Sequence, residues 1–221
     1  MSGIFKINNN EVFGSDGTFS GTIGSSATFP SGSVIKTYQN VFKGTQSIAR
    51  GNGNAGLIPD SDFILVGTGA SGTSGSPLSI TCDTPASNSS KYLITACVYF
   101  SNQNNGSTYF KLFYNNSGIS SDTPLPEVNS QLASTQTQVH LGYGHQGNNQ
   151  TVHAMHNANM TYLWSPSSSL AQTISIKGIS YSTSDFTVNS TDHVTDANYN
   201  SKGISTLTIQ EIAGWFLDIK Q

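Results

Sequence analysis

The chain has 221 residues, of which 35% are hydrophobic and only 10% charged, and its formal net charge is -3. Ordinary globular chains carry about 25% charged residues, so the polar character here rests on Ser, Thr, Asn, Gln and Gly, a surface suited to permanent assembly or to carbohydrate contact. Arg50 is the sole arginine and the lysines are scattered, which excludes a phosphate-facing basic stripe for nucleic acid, and no apolar run approaches the ~18 residues of a membrane span.

Residues 1–30 stand apart. The opening MSGIFKINNNEVF lacks the basic-then-apolar layout of an export signal, so synthesis in a cytoplasm is expected. The segment is rich in Gly, Ser and Asn, with isolated apolar residues at Phe13, Phe19, Ile23 and Phe29. It cannot build its own core, and is either a flexible leader or an arm that orders against a partner. The spaced apolar side chains favour the arm, with these four as its anchor residues.

Residues 31–221 read as one β-domain. Strands are predicted over 33–41, 62–67, 77–82, 91–101, 108–115, 137–143, 151–156, 160–164, 173–182, 186–188 and 204–211. The breaks carry turn chemistry, as in TPASNSS, NQNNGS, GHQGNN and SPSSS. This spacing, without a helical pattern, predicts an all-β, antiparallel sandwich or jelly roll.

In SPLSITC, Leu78, Ile80 and Cys82 share a face. In KYLITACVYF, Tyr92, Ile94, Ala96, Val98 and Phe100 face the core, which turns Cys97 the other way. Two free thiols are expected, not a disulfide. In TISIKGISYS the apolar phase changes between Ile176 and Ile179, which predicts a bulge at Gly178. After Leu207 and Ile209 the chain runs on through Trp215, Phe216, Leu217 and Ile219. That stretch must pack on its own domain or on a neighbouring subunit; the neighbour is favoured.

GTSGSP (72–77) matches the nucleophile loop of viral chymotrypsin-like proteases, with Ser74 as nucleophile. That chemistry needs a His and an Asp upstream, and His140, His145, His153, His156 and His193 all lie downstream. A hydrolase therefore rests on Ser74 alone, and a polar loop is the better reading. His153 and His156 of HAMH point to opposite faces of a strand, so no simple metal site is expected; an ion shared by symmetry-related copies of one histidine stays open. Asp60 with Asp62, and Asp192 with Asp196, sit at turns that aspartate caps. No phosphate-binding or dinucleotide motif occurs. Tyr143, Tyr162 and Trp164 lie beside turns, where a planar ring next to Asn and Gln makes a sugar platform; packing in the core or at an interface is the alternative.

Several segments together resemble virion proteins of tailed bacteriophages, in particular fibre-like and decoration-like proteins of marine and cyanobacterial phages. They are TFPSGSVIKTYQ (28–39), SPLSITCDTPASNSSKYLITACVYF (76–100), YFKLFYNNSGI (109–119), TYLWSPSSSLAQTISIKG (161–178) and STLTIQEIAG (205–214). The resemblance implies a C1q/TNF-like jelly roll behind a short N-terminal anchor, a homotrimer, and no catalytic residue or cofactor. Trp215, Phe216, Leu217 and Ile219 become candidates for the trimer interface. Two departures are Trp164, where the family tends to have an acidic residue, and the extra WFLDIKQ. The expected protein is a non-enzymatic virion component whose partners are capsid or tail proteins. The second expectation is a module that binds host-surface polysaccharide through Tyr143, Tyr162 and Trp164.

Overall fold

Along Lys91–Asn102 the side chains of Tyr92, Ile94, Ala96, Val98 and Phe100 are fully buried, while Leu93, Thr95, Cys97 and Tyr99 between them are not. A pleated strand turns every second side chain to one face, so this sequence hides one face and hydrates the other only as a strand. The same alternation closes the chain, where Ser205, Leu207, Ile209 and Glu211 are buried and the residues between them are not.

The computed structural model describes residues 30–49, 58–68, 76–102, 107–119, 121–126, 141–144, 155–181, 185–191 and 202–214, with the backbone alone of 5–7, 10–13, 102, 142–144 and 181. In chain order the strands are β1 (Phe5–Ile7), β2 (Asn10–Phe13), β3 (Val34–Phe42), β4 (Gln46–Ile48), β5 (Ile64–Leu65), β6 (Ser79–Thr81) and β7 (Lys91–Asn102). They continue as β8 (Ser107–Asn115), β9 (Thr123–Pro124), β10 (Leu141–Gly144), β11 (His156–Trp164), β12 (Thr173–Tyr181), β13 (Phe186–Val188) and β14 (Ser205–Ile212). Among the described residues the one helical element is the 3₁₀ turn Asp60–Asp62.

One sheet runs β3-β14-β7-β11, with β13 and β4 continuing it beside the far end of β7. The other runs β10-β8-β12, with β5 and β6 sharing the outer side of β12 and β9 beside β8. The chain crosses from β6 to β7 to β8, and again from β10 to β11 to β12, changing sheet each time. All pairings are antiparallel, and the path is that of a jelly roll. This is the expected fold class.

The two inner faces meet in one core. Phe100, Phe110 and Phe186 pack edge to face with ring centroids 5.4–6.0 Å apart, and each ring so buried contributes about 1.5–3 kcal/mol. Gly178 explains itself here. The β12–β8 register runs without a slip from Thr173↔Asn115 to Tyr181↔Ser107, so the predicted bulge is not there. Gly178 faces inward, and a Cβ on it would meet Phe186 at 2.9 Å and Phe110 at 3.0 Å. The change of apolar phase is a change of face: Ile176 belongs to the main core, and Ile179 to a second cluster outside the sheet. Gly178→Val is expected to lower stability by about 1–3 kcal/mol through overpacking, read as a lower urea midpoint at unchanged slope.

Other differences have local causes. The expected strands 151–156 and 160–164 correspond to one strand, β11, over the described part. Asn157 and Asn159 lie on its solvent face while Ala158 and Met160 fill the core. β4 and β9 were not expected, being three and two residues long. No strand was expected before residue 33, but β1 and β2 pair, with Lys6↔Glu11 and Ile7↔Asn10.

Candidate assembly face

The two sheets present opposite kinds of outer face. On the β8/β12 sheet, Lys111 and Lys177 stand directly across from each other, a like-charge pair that is unfavourable by itself. Each lysine is neutralised and covered. Asp60 holds Lys111 at 2.7 Å and Asp122 holds Lys177 at 2.8 Å. The ammonium of Lys111 lies 5.2 Å from the Phe63 ring centre, and that of Lys177 lies 4.5 Å from the Phe113 ring centre. Ile58 and Phe63 close over Phe113 and Ile179. This outer face is therefore covered by the chain's own 58–63 segment.

Partial burial pushes the Asp122 carboxyl up, but hydrogen bonds from Lys177 and Asn115 outweigh it and hold the group below its usual value of 3.8. The sign follows: stability from this pair is complete above that value and is lost as pH falls below it. Asp122→Asn is thus expected to flatten the acid limb of the stability curve below about pH 4 and to leave its neutral part less stable than wild type, as measured by urea unfolding across pH.

The outer face of β3-β14-β7-β11 carries no such cover among the described residues. Register places three rows of four side chains on it. The rows are Thr37, Gln210, Leu93, Leu163; then Gln39, Thr208, Thr95, Thr161; then Val41, Thr206, Cys97, Asn159. None of these twelve is charged and none is buried; the first charge on this face is Lys91, one row beyond Leu93 and opposite Ile212, at the edge of the grid. Gln39 Nε2 donates to Thr208 Oγ1 at 3.3 Å, tying neighbours within a row. At ordinary strand spacing the grid spans about 14 Å in each direction. Outward faces of strands that stay in water usually carry Lys and Glu, which also guard against edge association. A flat field of Thr, Gln, Asn, Leu and Val is instead what the centre of a subunit contact looks like, because charge is depleted there.

The sequence-predicted site residues fare differently. Trp164 is 5% exposed and packs between Tyr92 and Tyr114, with centroids 6.0 and 4.9 Å away. It is a core residue and not part of a sugar platform, because Trp164 follows the inward phase of β11 set by Ala158 and Met160. Tyr162 is half-buried and donates its hydroxyl to the carbonyl of Pro126. Tyr143 lies on β10 opposite Thr108, and its side chain is outside the described residues. The structure brings Tyr162 and Trp164 together only as sequence neighbours on one strand, facing the interior. Phe13 is placed by its backbone on β2; Phe19, Ile23 and Phe29 lie outside the described residues, as do Trp215, Phe216, Leu217 and Ile219, and Ser74, His153, Asp192 and Asp196.

Cys82 and Cys97 are both free thiols. Burial pushes the Cys82 thiol up to about 12 and also raises that of Cys97, so neither is poised as a thiolate nucleophile. His156 lies against Phe100, ring centres 5.7 Å apart. Asp60 and Asp62 form the 3₁₀ turn. The signal that locates the grid was present in TLTIQ and NANMTYL, where every second residue is Thr, Asn, Gln or Leu and none is charged.

No protein-family model matches the chain, and no curated protein matches it. Among solved structures, the Eiger TNF of S. frugiperda is similar over 84% of this chain and 98% of its own, with a TM-score of 0.42 at 9% identity. A chain from infectious bursal disease virus, Gx strain, is similar over 82% of this chain and 39% of its own, with a TM-score of 0.32 at 9% identity.

Proposed function

We propose that this is a non-enzymatic structural protein of a bacteriophage particle, a fibre or a capsid decoration. Residues 1–30 anchor it, and the β-domain joins copies of itself into a trimer through the uncharged grid on β3, β14, β7 and β11. That face is the observation that supports self-association. The trimer number and the phage setting come from the ordered resemblance of segments 28–39, 76–100, 109–119, 161–178 and 205–214. The low charge of the chain has a physical reason on this reading: Thr, Asn and Gln satisfy one another across a contact without the cost of burying ions.

The test is the solution mass by light scattering, for the full chain and for the chain without residues 1–30, together with incorporation of both into particles. A mass of three chains in both forms, with incorporation lost on removal of the arm, supports the reading. A single-chain mass in both forms removes the trimer, and incorporation that survives removal of the arm removes the anchor.

A further inference from the structure

β11 is the outer strand of its sheet, and which of its groups face outward follows from β7. Tyr99 turns both of its backbone groups toward the β14 side: its N–H donates to Ser205 Oγ at 3.0 Å and its C=O accepts from Asn189 N at 2.8 Å. In an antiparallel ladder, bonded and non-bonded residues alternate. Odd-numbered residues of β7 therefore bond toward β14 and even-numbered ones toward β11. The register pairs even with even, from His156↔Phe100 to Trp164↔Tyr92. His156, Ala158, Met160, Tyr162 and Trp164 thus spend their ladder bonds on β7. Asn157, Asn159, Thr161 and Leu163 turn their N–H and C=O groups to the open rim, where none of the described residues meets them. All four side chains are exposed.

A rim of this kind templates another strand, and proteins guard such rims with Lys, Pro, bulges or short strands. The other rims of the two sheets are guarded. β3 carries Lys36 and slips its register between Glu211 and Ile212. β4, β5, β6, β9 and β10 are two to four residues long. β11 alone runs nine residues with no slip, no Pro and no Asp, Glu, Lys or Arg.

We propose that the β11 rim pairs with the same rim of a second copy, antiparallel about a two-fold axis, and so joins neighbouring assemblies on the particle. A centre at Met160 uses every open group: Asn157 bonds to Leu163 of the second copy and Asn159 to Thr161 of the second copy, and each in return. A rim that pairs with itself must not set like charges against each other, and β11 is the long rim that meets this condition. One strand pair about 30 Å long covers less than the ~1,200 Å² of a stable complex. The pairing is therefore absent at micromolar concentration and forms at the roughly millimolar effective concentration of copies held side by side. It uses backbone groups at the rim, whereas the grid contact uses the outer side chains. Its setting rests on the reading of the protein as a particle component.

The test compares the full chain with Thr161→Pro, by light scattering and amide hydrogen exchange, at about 1 µM and about 1 mM. The N–H of Thr161 faces the rim, so proline there removes no bond to β7. The micromolar mass should be the same in both. The wild-type mass should rise at least twofold in the concentrated sample, and that of Thr161→Pro should not. The amides of Asn157, Asn159, Thr161 and Leu163 should exchange fast in dilute wild type and at least tenfold more slowly in concentrated wild type. A constant wild-type mass overturns the proposal, as does a rise that Thr161→Pro retains. Slow exchange of the four amides already at micromolar concentration overturns it too, since the rim is then covered within the basic unit. Should Thr161→Pro not fold, wild-type exchange decides: slowing at these four amides supports the pairing, and no slowing overturns it. Slowing that appears only when particles are added replaces the second copy with a strand of another protein. A mass rise with slowed exchange in a chain that never joins particles keeps the rim contact and removes the particle setting.

Discussion

Under the proposed assembly through the grid, Thr95→Lys is expected to leave single chains while keeping the fold of each intact. Thr95 sits in the middle row of the grid, between Thr208 and Thr161 across the strands and between Leu93 and Cys97 along β7. Its side chain points away from the core and is exposed, so the substitution should change the stability of a lone domain by no more than about 0.5 kcal/mol. In a contact that covers the grid, each copy would bury an unpaired ammonium. Leaving a buried charge without a partner costs about 3–5 kcal/mol, and each 1.4 kcal/mol is a factor of about ten in affinity. Association should therefore weaken by at least about 100-fold, visible as a fall in mass at micromolar concentration. Ser121→Lys, exposed at the β9 side of the other sheet, is the control that should leave the mass unchanged. Retention of the assembled mass by Thr95→Lys would place the contact elsewhere.

What the sequence shows and what it hides follow from the physics of alternation. The faces of β7 and β14 were legible because burial selects residue type at every second position: Tyr92 to Phe100 and Leu207 with Ile209 are inward as expected. The gap between the expected strands 151–156 and 160–164 closes because Asn157 and Asn159, of low strand propensity, face out, where propensity yields to packing of their inward neighbours. The change of apolar phase at Gly178 suggests a bulge, whereas the role of this glycine is the space it leaves for Phe110 and Phe186, which lie far away in the chain. The sequence neighbours of Trp164, Ser165 and Pro166, suggest an exposed ring beside a turn, but Tyr114 from the other sheet decides its environment. The grid is the instructive case. No single strand displays it; it forms only when register aligns uncharged residues from four strands, and register is a tertiary fact.

The largest loss of stability is expected at Asn189, a residue with no chemical motif around it. It is 1% exposed and has φ 59, in the left-handed region, which an Asn tolerates and an Ala does not without about 1–2 kcal/mol of strain. Its Nδ2 donates to Phe42 O at 2.7 Å and Gly44 O at 3.0 Å, and its Oδ1 accepts from Ser205 Oγ at 2.6 Å. Ser205 Oγ in turn accepts from Tyr99 N at 3.0 Å. The main chain of Asn189 donates to Tyr99 O at 2.8 Å and accepts from Gly203 N at 3.1 Å. One side chain thus joins the end of β3, β7 and the start of β14, and holds β14 in the register that the grid requires. Asn189→Ala strands buried partners at about 1–3 kcal/mol each and adds the strain, for an expected loss of about 3–5 kcal/mol, a large share of the roughly 5–15 kcal/mol by which a domain of this size is stable. Asn189→Gly should lose about 1–2 kcal/mol less, because Gly removes the strain and keeps the unmet partners. Asn189→Asp should be at least as damaging as Ala, since a carboxylate offers no donor to the two carbonyls. Urea unfolding in the Thr95→Lys background keeps association out of the comparison. A loss below about 1 kcal/mol in Asn189→Ala, or Gly no better than Ala, would show that the bonds around this residue are replaced by water and that register is held by the apolar faces alone.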